Sequence, residues 1–372
     1  MVRIDRIEIY RVRLALIYPF RTAYGDASVI ESVLVKMEAG GVEGWGESTP
    51  WESPLYSPEW GSGAYILARD WFGPRLVASD IATSAELQAV LAPFKGNPFA
   101  RAVFDLAWWD LSARRVSQSL WRLLGGRAEH ATVGADFGVM ETVDALLEAV
   151  ASARALGYGR LKLKFRPGWG LEVVRAVRRA FPDLVVHVDC NAAYTLDDLE
   201  LFQAIDELGL AMIEQPLAHD DLLDHARLQQ QIRTPICLDE SITGLRAAQQ
   251  ALEIGACRVL NLKPGRVGGL TPALQILELA RAAGVSCWVG GMLESGIGAS
   301  YCLALATLPG IDYPSDIFPS RRFYERDLIS PEIELAGPGT IRAFPGPGIG
   351  CRPDPEILRQ STVERCRLDS PA

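Results

Sequence analysis

Five charged residues recur along the middle of the chain at nearly constant spacing. Lys164, Asp189, Glu214, Asp239 and Lys263 are separated by steps of 25, 25, 25 and 24 residues. Each closes a short segment of apolar and β-branched residues, and amphipathic helical stretches lie between the segments. One strand and one helix fill such a step, so the spacing predicts a parallel sheet built from successive βα units. Enough units close into a barrel, with functional residues at the carboxyl ends of its strands.

The rest of the chain divides around this repeat. Residues 1–128 start with two strand-like segments and continue into helices, which predicts an α+β domain. Residues 129–325 are predicted to form the barrel, with a short last strand near residues 310–313 and no eighth helix. The C-terminal segment, residues 326–372, is predicted to return and pack on the first domain.

Composition limits the possible partners. The chain is 49% hydrophobic, and no segment approaches the roughly 20 consecutive apolar residues that span a bilayer. Its N-terminus lacks the apolar run of a secretory signal, and its seven cysteines contain no CxxC pair. A net charge of −9 without a basic cluster argues against nucleic acid and anionic membranes. We expect a cytoplasmic protein that acts on a small molecule.

Three of the spaced residues are acids, namely Asp189, Glu214 and Asp239. On three consecutive strands they would place hard oxygen ligands around one point, which suits Mg²⁺, whereas zinc prefers histidine or cysteine. Any one acid alone is at least as well explained as the cap of the following helix. Three at equal spacing favour a metal site, because three buried carboxylates would repel one another without a cation.

Lysine is used sparingly in this chain. Only five of the 37 basic residues are lysines, and Lys162, Lys164 and Lys263 all lie in apolar segments. Arginine stays protonated in proteins, whereas a desolvated lysine can act as a base. Residues two apart on a strand face the same way, so Lys162 and Lys164 are predicted to point into the barrel, with Lys263 across the mouth. In isolation the LKLK segment also fits the solvated face of an edge strand, but a closed barrel has no edge.

These residue types predict the removal of a proton next to a carboxylate. Such a proton is weakly acidic, and a divalent cation with a nearby ammonium group stabilises the enediolate that forms. Lysines on both faces of the substrate permit racemisation. The positive charges of Lys162, the cation and Arg266 are expected to lower the pKa of the reacting lysines. Arg266 would then tune Lys263; pairing with a surface acid is the alternative.

Short motifs at these positions resemble the enolase superfamily, in the subgroup of muconate-lactonising enzymes. The chain is most similar there to N-succinylamino acid racemases and o-succinylbenzoate synthases. The resemblance covers nearly the whole chain and implies a modified TIM barrel, (β/α)7β, with an N-terminal α+β capping domain that the C-terminal tail completes. The motifs are KxK (162–164), DxN (189–191), EQP (214–216), DES (239–241), NLKPGRVGG (261–269) and GGMLESGIG (290–298).

The resemblance also implies residue roles. Lys164 and Lys263 would be the acid and base, and Lys162 would hold the substrate carboxylate and assist the metal. The three spaced acids would bind Mg²⁺, for which Mn²⁺ or Co²⁺ can substitute. The residues implied in substrate binding are Asn191, Arg266, Gly291, Met292, Leu293, Phe20, Tyr56 and Phe323.

Several other features carry two interpretations. Residues 17–28 and 45–60 are rich in aromatic residues and are predicted to be loops that form a water-excluding lid, although solvated surface aromatics are as plausible for any single residue. The glycine-rich motifs could instead cradle phosphate, but they lack a convergent lysine. His187 is predicted to be a core histidine. The segment Asp312, Tyr313, Pro314 lacks the DxD motif of dipeptide epimerases, which puts that activity in doubt.

Three functional hypotheses follow. The first is a racemase of N-acylamino acids, N-succinyl substrates above all, with o-succinylbenzoate synthesis as a possible second activity. The second is a dedicated o-succinylbenzoate synthase of menaquinone biosynthesis, in which Lys164 moves the proton and Lys263 stabilises charge. The third is a Schiff-base aldolase barrel, which would be trapped by borohydride and indifferent to chelators. A homo-oligomer is expected in each case.

Overall fold

A computed structural model describes residues 2–77 and 79–370 of the protein. Its strands are β1 (Val2–Arg3), β2 (Arg6–Arg21), β3 (Asp26–Ala39), β4 (Val42–Ser48), β5 (Asp80–Ile81), β6 (His130–Thr132), β7 (Ala135–Phe137), β8 (Arg160–Lys164), β9 (Val185–Asp189), β10 (Ile213–Glu214), β11 (Ile236–Leu238), β12 (Val259–Leu262), β13 (Ser286–Val289), β14 (Leu335–Gly337), β15 (Thr340–Arg342) and β16 (Thr362–Asp369). Its α-helices are α1 (Gly61–Leu67), α2 (Gly73–Val77), α3 (Ser84–Leu91), α4 (Pro98–Arg115), α5 (Leu120–Leu123), α6 (Val143–Ala155), α7 (Leu171–Ala180), α8 (Leu199–Asp206), α9 (Leu222–Gln231), α10 (Leu245–Glu253), α11 (Pro264–Val267), α12 (Leu270–Ala283), α13 (Gly296–Ala306) and α14 (Pro355–Ser361), with a π-helical turn at Ala68–Phe72 and 3₁₀ turns at Leu196–Asp198 and Ser320–Arg322.

An antiparallel sheet organises the N-terminal part of the chain. Its strand order is β16-β2-β3-β4, so the last strand of the chain pairs with one of the first. Helix α4 lies so close to the sheet that a Cβ atom on Gly44 or Gly46 would fall within 2.4 Å of the helix backbone. Only glycine permits this approach, which buries the apolar face of the sheet against α4.

The loop predicted over residues 17–28 is mostly strand. Strands β2 and β3 continue as a two-stranded ribbon, in which Phe20 pairs with Ala27 and Arg21 with Asp26. A register irregularity lies between Ala15 and Phe20. Extended ribbon replaces the predicted loop because the two strands keep pairing beyond the sheet, and the true turn is confined to residues 22–25.

The middle of the chain forms a barrel of parallel strands. Seven of them lie in the order β7-β8-β9-β10-β11-β12-β13, the order in which they occur along the chain. The helices that connect successive strands cover the outside, as expected for right-handed βα crossovers. The short apolar segments that the spaced charged residues close are therefore strands with both faces covered.

A short eighth segment closes the barrel. Ile311 makes a parallel bridge to Cys287 on β13, and Ser315 makes one to Val133 just before β7. A 3₁₀ turn, rather than a helix, follows at Ser320–Arg322. The predicted fold, a (β/α)7β barrel with an α+β capping domain, is confirmed. The exact division at residues 128 and 325 stays a prediction.

Among residues 2–77 and 79–370, no helix is both long and apolar enough to cross a membrane.

Candidate active site

Strand register brings the charged residues of β8, β9 and β10 side by side. Lys164 is aligned with Asp189, and Asp189 with Glu214, on neighbouring parallel strands. Aligned residues on adjacent strands point to the same face, and alternation puts Lys162 on that face as well. All four side chains are buried inside the barrel.

Two further residues stand just beyond the ends of their strands. Asp239 follows β11, and Lys263 follows β12 immediately before the proline that starts α11. Both are buried, with Lys263 at 4% exposure. The backbone therefore brings the five spaced residues to one mouth of the barrel, where the spacing predicts them.

Each lysine pairs with a carboxylate. The Lys162 Nζ lies 2.9 Å from Asp189 Oδ2 and 2.9 Å from Glu214 Oε2. The Lys164 Nζ donates to the same Asp189 oxygen at 2.7 Å. On the other side of the mouth, the Lys263 Nζ donates to Asp239 Oδ2 at 2.8 Å. Lys164 and Lys263 thus contact different carboxylates.

These ion pairs decide the protonation of the site. Burial raises the pKa of Asp189, but Lys162 and Lys164 outweigh it and hold the pKa well below the usual range. Burial lowers the pKa of Lys162, yet the surrounding carboxylates raise it well above its usual value. The pKa of Lys263 is likewise raised, since burial is outweighed by Tyr56 and the nearby acids. Among the protein's own groups, the pKa of Lys263 is therefore raised where a lowered value was predicted, because anions lie closer to it than cations.

The donor set fits a hard divalent cation. Asp189, Glu214 and Asp239 supply carboxylate oxygens at the ends of three consecutive strands, and oxygen ligands of this kind suit Mg²⁺. In the described part of the chain, no three ligating side chains already surround one point. Lysine ammonium groups instead lie against the carboxylates. Metal binding by these three acids stays a prediction from donor chemistry and position.

Arg266 lies beneath the site rather than at the surface. Its side chain is 1% exposed, and its Nη1 contacts Asp239 Oδ1 and donates to the Tyr56 hydroxyl at 3.2 Å. Its Nε donates to the carbonyl oxygen of Ile242 at 2.8 Å. The alternative of a surface-acid partner is wrong. Arg266 shares Asp239 with Lys263, a geometry that allows it to influence that lysine.

A small cavity of about 30 Å³ opens between the lysines. Phe20 and Tyr56 enter it from the capping domain, together with Tyr24 and Trp51. Of the predicted binding residues, those that line it are Phe20, Tyr56, Asn191, Gly291, Met292 and Leu293.

Two predicted substrate-binding residues stand elsewhere. Phe323 lies behind Phe20, with ring centroids 5.8 Å apart, so it supports the cavity wall instead of lining it. Arg266 is separated from the cavity because it packs under Tyr56 and Asp239. Neither residue lines this cavity, because another side chain of the site stands in front of each, and their role in substrate binding stays a prediction.

The loop after β13 takes its shape from its glycines and one acid. A Cβ atom on Gly290 would lie 2.2 Å from Asn261 Oδ1, so that position requires glycine. Leu293 adopts a left-handed backbone with φ of 58°. The Glu294 carboxylate accepts the Met292 N–H at 2.8 Å, and Trp51 donates to the Met292 carbonyl at 2.9 Å. This loop forms the cavity wall opposite Lys164.

His187 is a buried core histidine, as predicted. Its Nε2 lies 3.3 Å from Glu214 Oε2, and its Nδ1 lies 2.9 Å from the Tyr313 hydroxyl. Burial lowers the pKa of His187, which favours the neutral ring.

Two further acids in the cavity wall escaped the sequence interpretation. Asp136 on β7 and Asp316 after the eighth strand segment are both buried and line the cavity. The available signal was their position, because Asp136 lies on the first barrel strand and Asp316 directly follows the segment that closes the barrel. Tyr24 was predicted only as a lid aromatic, whereas its hydroxyl donates to the carboxylate of Glu240, which follows Asp239.

Comparisons with known proteins cover both parts of the chain. Residues 6–125 match the family "Mandelate racemase / muconate lactonizing enzyme, N-terminal domain", and residues 145–357 match "Enolase C-terminal domain-like". The chain is 42% identical to N-succinylamino acid racemase of Thermus thermophilus over 99% of this chain and 98% of the relative. It is 43% identical to o-succinylbenzoate synthase of Geobacillus kaustophilus over 94% of this chain and 93% of the relative. A solved enolase-superfamily structure from Listeria innocua superposes with a TM-score of 0.96 at 34% identity, covering all of both chains.

Proposed function

The chain belongs to the enolase superfamily, in its muconate-lactonising subgroup, and on that premise we propose that it racemises N-acylamino acids, with N-succinylamino acids as the preferred class. The reaction removes the proton α to a carboxylate, passes through an enediolate, and returns a proton to either face. N-succinylamino acid racemases at 42% and 40% identity support this choice of substrate.

Two lysines are placed against different carboxylates, and this placement is the main support for proton transfer at both faces. Lys164 contacts Asp189 at 2.7 Å and Lys263 contacts Asp239 at 2.8 Å, with the small cavity between them. A carbon atom held in that cavity has an amine on each side. Proton transfer from either face needs this arrangement.

The reaction divides between the lysines. The neutral Nζ of one, Lys164 or Lys263, takes the α-proton, and its C–H electron pair becomes part of the enediolate. The ammonium group of the other donates a proton to the opposite face, which regenerates the carbon acid with inverted configuration. Lys162 holds the substrate carboxylate, while Phe20 and Tyr56 exclude water from the cavity.

A divalent cation, which we propose is Mg²⁺ with Mn²⁺ or Co²⁺ as substitutes, would be held by Asp189, Glu214 and Asp239. When bound, it supplies the Lewis acidity that makes the α-proton removable and stabilises the enediolate charge. The buried negative charge of these acids favours such an ion.

A dedicated o-succinylbenzoate synthase is the second candidate. The specific observation in its favour is Lys263, whose pKa is raised despite burial and whose Nζ lies 4.7 Å from the Tyr56 ring centroid. A lysine that stays protonated suits charge stabilisation while Lys164 alone moves the proton. The comparisons give no support to the Schiff-base aldolase, since the relatives described above are named as a racemase and a synthase.

The two candidates are tested by measuring kcat/KM for two substrates with the same preparation. We expect loss of optical rotation from N-succinyl-L-phenylalanine, abolished by EDTA and restored by Mg²⁺. The β-hydroxy acid precursor of o-succinylbenzoate provides the second assay. A lack of racemisation with every N-acylamino acid, combined with efficient dehydration, would replace the first candidate by the second. Trapping by borohydride with full activity in EDTA would contradict both.

Other properties remain predictions. The partner is proposed to be a small-molecule carboxylate, without nucleic acid or membrane. A cytoplasmic location and a homo-oligomeric state are expected but rest on sequence alone.

A further inference from the structure

A fully buried arginine lies at the start of β8, below the lysines. Arg160 has no exposed surface, and its Nη1 forms an ion pair with Asp316 Oδ1 at 2.7 Å. Its Nη2 donates to the carbonyl oxygen of Pro314 at 2.5 Å. Arg160 therefore connects the second barrel strand to the segment that closes the barrel.

The fold leaves a space shaped for this guanidinium group. A Cβ atom on Gly134 would lie 2.1 Å from Arg160 Cζ, so any side chain there would displace the arginine. The guanidinium carbon lies 5.4 Å from the ring centroid of Trp288 and 5.6 Å from that of Tyr313. Rings and backbone thus leave Arg160 little freedom, and the carboxylate it binds is fixed in turn.

Asp316 presents its second oxygen to Lys162. The distance from Asp316 Oδ2 to Lys162 Nζ is 3.4 Å, and the Asp316 carboxylate is 4% exposed. Its backbone N–H donates to the carbonyl oxygen of Val289 on β13 at 2.8 Å, which fixes the chain at that point. The result is a chain of charges from Arg160 through Asp316 to Lys162.

Lys162 has three acidic partners, but two of them have another task. Asp189 and Glu214, each 2.9 Å from its Nζ, belong to the set proposed to hold the divalent cation. Asp316 is outside that set and is already committed to Arg160 on its far side. It is the acid that can stay with Lys162 while the other two serve a metal.

We propose that Asp316, fixed by Arg160, is a positioning residue that keeps the Lys162 ammonium group oriented towards the substrate carboxylate when Asp189 and Glu214 hold the cation. This inference rests on the proposed function, because it assigns Lys162 to carboxylate binding. Without Asp316, the carboxylates within 4 Å of the Lys162 Nζ would be those of Asp189 and Glu214, which the cation needs, and both metal and substrate would bind more weakly.

The test is Asp316→Asn in the full-length protein, with Asp312→Asn as the matched control. Asp312 is exposed and lies on the same closing segment. We expect the Kd of Mg²⁺ or Mn²⁺, measured by titration calorimetry, to rise about tenfold or more in Asp316→Asn. The KM for the N-acylamino acid is expected to rise by a similar factor, and kcat is expected to change less. The control is expected to match the wild type.

Repeating the substitution in a variant that lacks the Lys162 ammonium group shows whether Asp316 acts through this lysine or only stabilises the fold. In Lys162→Met, the additional change Asp316→Asn is expected to alter the metal Kd less than about threefold, since contacting residues are not additive. A full tenfold effect in that background would overturn the proposal, as would unchanged Kd and KM in Asp316→Asn. A lowered melting temperature alone would show a merely structural role and also overturn it.

Two outcomes, a variant that does not fold and a wild type without racemase activity, have their own measurements. If Asp316→Asn does not fold, the pair Arg160→Met/Asp316→Asn removes both buried charges together, a replacement that proteins commonly tolerate, and the same Kd comparison applies. If the wild type racemises no N-acylamino acid, the proposed function fails by itself. The metal Kd measured with and without Lys162 still reports whether Asp316 acts through that lysine.

Discussion

Each barrel lysine is neutralised by a carboxylate on a neighbouring strand, and this pairing controls the chemistry of single residues. Lys162, Lys164 and Lys263 are all buried, and burial alone would lower the pKa values of Lys162 and Lys263. The acids beside them reverse that tendency for Lys162 and Lys263, whose pKa values are raised. The sequence indicated which residues converge, but the direction of these pKa shifts depends on distances of about 3 Å that no spacing reveals.

At the residue scale, Arg266→Met tests the buried contact with Asp239. The arginine also donates to two carbonyl oxygens, those of Ile242 and Asn261, which would lose their partner. We expect a loss of about 3–5 kcal/mol in the free energy of unfolding and at least a tenfold loss of kcat/KM. Urea unfolding and steady-state kinetics provide the measurements. Exposed Arg246→Met on α10 is the control, and equal behaviour of the two variants would contradict the assignment.

Among the helices and strands, two acids of the capping domain accept hydrogen bonds from the free N–H groups at helix N-termini. Glu47 on β4 accepts the N–H groups of Ser295 and Gly298 at the start of α13, at 3.1 and 2.8 Å. Glu59 accepts those of Phe99 and Ala100 at the start of α4, at 2.8 and 2.9 Å. Free N–H groups at helix N-termini favour such acceptors. The Glu47 contacts bind the capping domain to the barrel, next to the loop that lines the cavity.

Glu59 predicts a pH dependence of stability. Burial raises its pKa to about 7, only partly offset by the N–H groups of Ala100 and Phe99. Because the folded state binds this proton more tightly than the unfolded state, the contribution of Glu59 falls as pH rises from about 4.5 through 7, by up to roughly 3 kcal/mol.

The measurement compares urea unfolding of the wild type and Glu59→Gln at pH 5 and pH 8. The wild-type free energy of unfolding is expected to decline relative to that of the variant between these values. Glu52→Gln, at an exposed acid on the same loop between β4 and α1, provides the control. A stability difference between wild type and Glu59→Gln that stays constant with pH would contradict the raised pKa.

At the scale of the whole molecule, the 25-residue spacing was sufficient to predict the barrel and its mouth. Spacing works because each βα unit repeats one geometry. The closing segment was harder to assign, since it makes only isolated bridges at Ile311 and Ser315 and has no period-two pattern. Asp316 lies at the end of this segment and was not predicted for the same reason. The position of Phe323 behind Phe20 depends on packing between distant segments, which local patterns do not encode.

Metal binding should stabilise the whole protein. A ligand that binds only the folded state adds about 2.7 kcal/mol at 100 times its Kd. We therefore expect the melting temperature to rise by a few degrees with Mg²⁺ and to fall back with EDTA. Asp239→Asn is expected to lose most of this rise, whereas Asp183→Asn, on the exposed turn before β9, keeps it. A rise that is equal in both variants would place the ion elsewhere.

Lys164 and Lys263 are proposed to act on opposite faces of one carbon atom. The most direct test of this proposal is α-proton exchange in D₂O, followed by NMR, for each enantiomer of N-succinylphenylalanine with Mg²⁺. The wild type is expected to exchange and interconvert both enantiomers. Lys263→Ala should exchange only one enantiomer and Lys164→Ala only the other, neither with racemisation. Racemisation at the wild-type rate in either variant, or exchange of the same enantiomer by both, would exclude proton transfer by these two lysines from opposite faces.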